Sequence, residues 1–131
     1  MNYAMHATLS APFEEAVEQV KAALQAEGFG VLSDIDVAGT LQAKIGVERR
    51  PYRILGACNP PLANRGLDLD PDLGVLMPCN VVVREEDDGT VTAALMDTSA
   101  VFGLSDAEGM TEMAGEALTK LQKVRDGLDG S

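Results

Sequence analysis

Val75-Leu76-Met77-Pro78-Cys79-Asn80-Val81-Val82-Val83-Arg84-Glu85 is answered, after Asp88-Gly89, by Val91-Thr92-Ala93-Ala94-Leu95-Met96. The first run is rich in β-branched residues and continuous in hydrophobicity, which predicts a strand over residues 75–85. Asp-Gly is a strong tight-turn signal, so the second run returns as its antiparallel partner. Pro78 has no N–H to give a ladder, which places an edge, a bulge or a kink at that point. Successive strand residues point to opposite faces, so Val81, Val82 and Val83 put valine on both sides of the sheet.

Working outward, Tyr3, Met5, Ala7 and Leu9 alternate with Ala4, His6 and Thr8 as a first strand. Ser10 is expected to cap the next helix, with Pro12 in its first turn and Glu14 and Glu15 facing its positive end. Phe13, Val17, Val20 and Leu24 follow at helical spacing, and Gly28 supplies the stop. Gly30 to Asp36 reads as a second strand. Val37, Leu41 and Ile45 share a helical face, which predicts a short helix closed by Gly46. Tyr52 to Cys58 reads as a third strand. Asn59 is a good N-cap and Pro60 a good first helical residue, so that strand should pass directly into a second short helix. Gly66 is expected to interrupt this helix and Asp70-Pro71 to end it. Asp97 to Leu104 reads as a loop. Ser105 and Glu108 form a capping-box pattern ahead of a last helix carrying Met110, Met113, Ala114, Ala117, Leu118, Leu121 and Val124 on one stripe.

The order is β-α-β-(α)-β-(α)-β-β-α. It predicts an α+β fold: a mainly antiparallel, curved sheet packed on one face by two amphipathic helices. Two such helices cover only one sheet face. The valines on the other face call for a cover of their own: a partner subunit, a small helix or a ligand. A symmetric homodimer is the expectation, since it is the commonest oligomer.

The 131 residues, 46% of them apolar, suffice for one core, and no linker or repeat divides them, so a single domain over 1–131 is expected. A net charge of −11, from 21 acidic against 10 basic residues, argues against nucleic acid and anionic membrane surfaces as partners. The first residues, Met1-Asn2-Tyr3-Ala4-Met5-His6, lack the basic and apolar regions of a signal peptide, and no run approaches a membrane span. Two cysteines without a secretory signal suggest reduced thiols and a cytoplasmic location.

Chemistry concentrates on two Cys-Asn pairs. Cys58 and Cys79 lie at or near strands that can be neighbours. Cys58 stands just before a predicted helix start, where partial positive charge lowers a thiol pKa, and Cys79 follows Pro78, where a deformed strand can re-aim a side chain. Asn59 and Asn80 can cap, tie turns or donate to a bound group. Arg53, from the basic trio Arg49, Arg50 and Arg53, joins them as a candidate ligand-binding residue, although such a trio also suits a solvated strand edge paired with acids. Against these roles stands plain packing, since free cysteine is among the most buried residue types. The thiols lack the close spacing of a zinc site, with only His6 to add an imidazole, so neither metal nor cofactor is expected. No nucleophile elbow, Walker loop or dinucleotide fingerprint is present, and no catalytic residue is named. The reading is a small homodimeric domain, not an enzyme, that binds a small molecule near Cys58 and Cys79. The alternative is a thiol-dependent redox or sulfur-handling protein using one or both cysteines.

Three motifs carry a family resemblance: Arg53-Ile54-Leu55-Gly56-Ala57-Cys58-Asn59-Pro60, Asp70-Pro71-Asp72-Leu73-Gly74 and Met77-Pro78-Cys79-Asn80-Val81-Val82-Val83. In this order the chain resembles the family known as domain of unknown function 302. The resemblance implies a fold akin to the TATA-binding-protein-like group. It brings no activity and no catalytic residue, and DNA binding does not follow from a fold when the charge has the wrong sign.

Overall fold

The computed structural model describes residues 2–131. Strands β1 (Ala4–Leu9), β2 (Gly30–Asp36), β3 (Tyr52–Cys58), β4 (Cys79–Glu85) and β5 (Val91–Met96) form one sheet in the order β1-β5-β4-β3-β2. Every neighbouring pair is antiparallel. The β4–β5 hairpin occupies the middle of the sheet. Its turn is held by Asp88, whose Oδ1 accepts from Thr90 N at 3.0 Å, and by Gly89 at φ +88°, a conformation that glycine adopts without a Cβ clash.

Helices α1 (Phe13–Ala26) and α5 (Met110–Leu128) pack on one face of this sheet and against each other. Helix α1 presents Ala16, Val17, Val20 and Leu24, and α5 presents Leu121, Val124 and Leu128. They close over Ala7, Leu9, Leu55, Val81, Val83, Ala93 and Leu95. Burying one such Leu or Val contributes about 1.5–3 kcal/mol, which makes this face the main source of stability. A second cluster joins the first half of α5 to α3 (Pro60–Leu69), a 3-10 turn (Pro71–Leu76) and α4 (Thr98–Phe102) through Leu62, Leu73, Cys79, Phe102 and Met113. The fully buried Thr98 hydroxyl donates to Ala114 O at 2.8 Å, so α4 is pinned to α5 without an unpaired polar group.

The α+β architecture and the one-sided packing are as the sequence predicts, and β2, β3 and α2 (Val37–Ile45) have the predicted bounds. Gly46, at φ +67°, closes α2. Five details differ, and for Ser10, Gly66 and Ser105 a tertiary contact overrides the local signal. Strand β4 begins at Cys79 and not at Val75; residues 71–76 wind into the 3-10 turn, and Val75 is 85% exposed. Ser10 does not cap α1, whose N-cap is Pro12; its N–H and hydroxyl donate to Ser131 O instead. Gly66 does not interrupt α3. It is buried where a Cβ would stand 2.6 Å from Leu73 Cδ2 and 2.8 Å from Met113 Cε, so the glycine serves close packing. Residues 97–104 are not only loop, because Asp97 Oδ1 accepts from Ala100 N and caps α4. Ser105 does not cap α5, which starts after Gly109; its hydroxyl donates to Asp70 Oδ2 at 2.6 Å.

The opposite sheet face is open. Along it Ile35 pairs with Ile54, Ile54 with Val82, Val82 with Ala94 and Ala94 with His6, giving one row across all five strands. Apart from Gly56, no described strand residue pointing to this face is buried. Helix α2 contacts β3 and buries none of its own residues. The β1 edge is closed by the C-terminal residues, with Thr8 N donating to Asp129 Oδ1 and Gly130 N to Thr8 O, both at 2.9 Å. The β2 edge carries a bulge between Val31 and Ser33, with Leu32 72% exposed, which breaks the regular edge that would template another strand.

The phase of α5 gives a direct test. Leu121 is fully buried and Glu116 is exposed and paired with Arg65. Denaturant unfolding should show Leu121→Ala losing about 2–5 kcal/mol and Glu116→Ala about 0.5 kcal/mol or less. Equal losses would contradict this helix orientation.

Candidate functional site

Strand β3 delivers Cys58 to the end of the sheet just before α3, and Ala57 pairs directly with Cys79 on β4. The two cysteines, both free, are therefore offset by one residue on neighbouring strands. They line one cavity of about 20 Å³, together with Met77, Leu73, Phe102 and Met113. That volume admits about one water molecule or one ion. No charged side chain lines it. Burial pushes the Cys79 thiol up to about 12, and the neighbouring Cys58 adds to the rise. Asn59 also borders the cavity, but its amide is committed: Oδ1 accepts from Leu62 N at 3.2 Å and caps α3. Its Nδ2 also lies against the Gly28 turn, 3.1 Å from where a Cβ would stand.

The other two candidate residues stand elsewhere. Asn80 alternates with Cys79 and points to the open face, where it borders a hollow of about 500 Å³ with Tyr3, His6, Tyr52, Val82 and Arg84. The Arg84 guanidinium donates to Glu86 Oε1 at 2.7 Å beside this hollow. Arg53 lies at the other end of β3, where Nε donates to Asp34 Oδ1 at 2.7 Å and Nη1 to Glu14 at 3.3 Å. Lys21 Nζ adds a contact to Asp34 Oδ2 at 3.0 Å. Arg53 is thus the centre of an ion-pair network that ties β2 and β3 to α1.

Two groups escaped the sequence reading. Met113 joins Cys79 in one buried cluster from the α5 stripe, where helical spacing marks it only as core. Tyr52, Val82 and Arg84 join Asn80 on the open face, a grouping that strand alternation could have shown had the β3–β4 register been fixed. Among the described residues no group of three or more His, Cys, Asp or Glu is placed to hold a metal. Among the described residues no helix is long and apolar enough to cross a membrane.

The Arg53 network has a pH signature. The hydrogen bonds from Arg53, with help from Lys21, bring the Asp34 carboxyl from an ordinary 3.8 down to about 2 despite its partial burial. A depressed carboxylate pKa adds stability that is complete above the unfolded value and is lost as pH falls through the folded one. The stability difference between the native chain and Asp34→Asn, measured by denaturant unfolding, should be at most about 2 kcal/mol at neutral pH and vanish as pH falls from about 4 to about 2. A difference that persists unchanged at pH 2 would contradict the assignment.

Comparison with known proteins bears on the whole chain and not on any one residue. The model of the family Domain of unknown function DUF302 matches residues 5–128. No curated protein matches. The crystal structure of the uncharacterized conserved protein DUF302 from Bacillus stearothermophilus is similar, with a TM-score of 0.89 and 28% identity, over 98% of this chain and 99% of that chain. With nearly its full length matched by the family model, the chain belongs to the domain of unknown function 302 family.

Proposed function

We propose that the chain is a homodimeric binding module: two copies meet through their open sheet faces and enclose a small molecule in the hollow beside Asn80. The observation that carries this reading is the uncharged row Ile35, Ile54, Val82 and Ala94, which crosses four neighbouring strands on the face that α1 and α5 leave open. Its flanking rows hold Tyr52, Arg84, Thr92 and Thr8 on one side and Ser33, Asn80, Met96 and Ala4 on the other. An apolar centre with a more polar rim is the usual anatomy of a protein interface.

Charge favours a second copy as the partner. A chain of net charge −11 repels itself wherever its acids meet, yet no Asp or Glu stands in these three rows although 21 residues are acidic. The hollow of about 500 Å³ falls within the size range of small-molecule sites, about 300–1,000 Å³. The cavity beside Cys58 and Cys79 is far below that range, so the organic ligand belongs at Asn80 and not between the cysteines.

Light scattering coupled to size exclusion tests the assembly. At micromolar concentration the native chain should run at twice 13.8 kDa. Val82→Asp, which changes a half-buried residue of one copy, should run at 13.8 kDa with an unchanged circular dichroism spectrum. A native chain found only at 13.8 kDa would remove the proposal.

A thiol-dependent role has one observation in its favour, the shared cavity of Cys58 and Cys79. The raised thiol pKa and burial of Cys79 weigh against it, because the thiolate is the nucleophile. Labelling by a thiol reagent should therefore reach Cys79 only after denaturation. Rapid labelling of both cysteines in the folded protein would favour the thiol role instead.

A further inference from the structure

We infer that helix α2 is a docking arm: in the dimer proposed above, on which this inference rests, the Val37, Leu41 and Ile45 stripe of each copy packs on the open sheet face of the other. No residue from 30 to 50 is buried, although this stretch holds a whole strand and a whole helix. Its composition is not that of a solvated segment. Leu32, Ile35, Ile45 and Val47 are half of the large hydrophobic residues that stand exposed among the described residues, and Ile45 is 67% exposed. Val37, Leu41 and Ile45 are four residues apart and share one face of the helix. Single exposed apolar residues carry no meaning, but a set gathered on one short segment marks an interaction surface.

A helix of nine residues needs such a cover. Isolated helices shorter than about 12–15 residues are marginal in water, and most helical stability in proteins comes from packing an apolar face. Asp36 Oδ1 accepts from Gly39 N at 2.8 Å and Gly46 closes the other end, so both ends of α2 are fixed while its stripe is left bare. The contact with β3 buries no α2 residue.

A second copy is the occupant that fits. One chain carries two uncovered apolar surfaces, the α2 stripe and the row Ile35, Ile54, Val82 and Ala94. They do not cover each other within the chain, since Ile35 is 50% exposed. In a twofold dimer a contact between two different patches is made twice, so a single helix-to-sheet contact covers both surfaces on both copies and closes the assembly. Charge agrees. From Val37 to Val47 the one charged side chain is Lys44, in a chain of net charge −11, so α2 approaches an acidic copy without repulsion. The three open-face rows hold no acid, so neither surface carries a carboxylate into the apolar contact.

The test mixes isotope-labelled native chain with unlabelled chain in which a photoreactive benzoylphenylalanine replaces Ile45. Mass spectrometry after illumination should find position 45 joined to labelled peptides that contain Ile54, Val82 or Ala94. As an independent measurement, Leu41→Gln with Ile45→Gln should weaken dimerisation roughly tenfold or more, read by light scattering across a dilution series. Its circular dichroism spectrum should stay unchanged, because neither residue is buried within its own copy. A native dimer whose labelled crosslinks fall only on other segments, or whose dimerisation is the same in the double variant, would overturn the role of α2 and leave the dimer itself standing. A native chain found only at 13.8 kDa would overturn both.

Discussion

The pleat of β4 divides this molecule in two. Because β4 is third of five strands, Cys79, Val81 and Val83 go under the helices, while Asn80, Val82 and Arg84 go to the open face. A slip of one residue would exchange the two sets. It would place the guanidinium of Arg84 and the amide of Asn80 beneath α1 and α5, a penalty of several kcal/mol for the buried charge alone. The Asp88-Gly89 turn and the burial of Ala93 and Leu95 on β5 hold the register against that slip. The core, the cysteine cavity and the open face all follow from this one alternation.

Each face then acquires its own chemistry. On the covered face Arg53 meets Asp34 beneath α1, and there both charges are paired and only partly buried. Paired in this way, the network holds α1 against β2 and β3, and it engages all three nitrogens of Arg53 with carboxylates. The open face is uncharged at its centre and free of acids along its strands, in a chain whose surface is otherwise strongly acidic. Its hollow is lined by Asn80 and the cysteine cavity by Cys79, so these adjacent residues border separate spaces.

What the sequence made legible was local chemistry. Asn59 before Pro60, Gly46 after Ile45 and Asp88-Gly89 between two apolar runs each set a boundary through their own backbone preferences, and the structure keeps all three. Errors arose where a distant residue supplied the partner. Ser10 bonds to Ser131 and Ser105 to Asp70, so neither is free to cap, and Gly66 is fixed by Met113 across a helix contact. Val75 looked like strand because apolar content alone does not separate a 3-10 turn from an extended run. At the candidate site, the neighbourhood of Cys58 and Cys79 could be anticipated from adjacent strands. The commitment of Asn59 to a cap was visible in its place before Pro60, while the capture of Arg53 by Asp34 and the arrival of Met113 depended on register and helix docking that spacing does not encode.

The central claim is that a second copy covers the row formed by Ile35, Ile54, Val82 and Ala94. Isotope-filtered NOE spectroscopy on a mixture of labelled and unlabelled chains tests it most directly, since such a spectrum records only contacts between copies. The account predicts cross-peaks from the methyl groups of Ile54 and Val82 to the unlabelled chain. Cross-peaks confined to the outer surface of α5, or none at all at millimolar concentration, would contradict it.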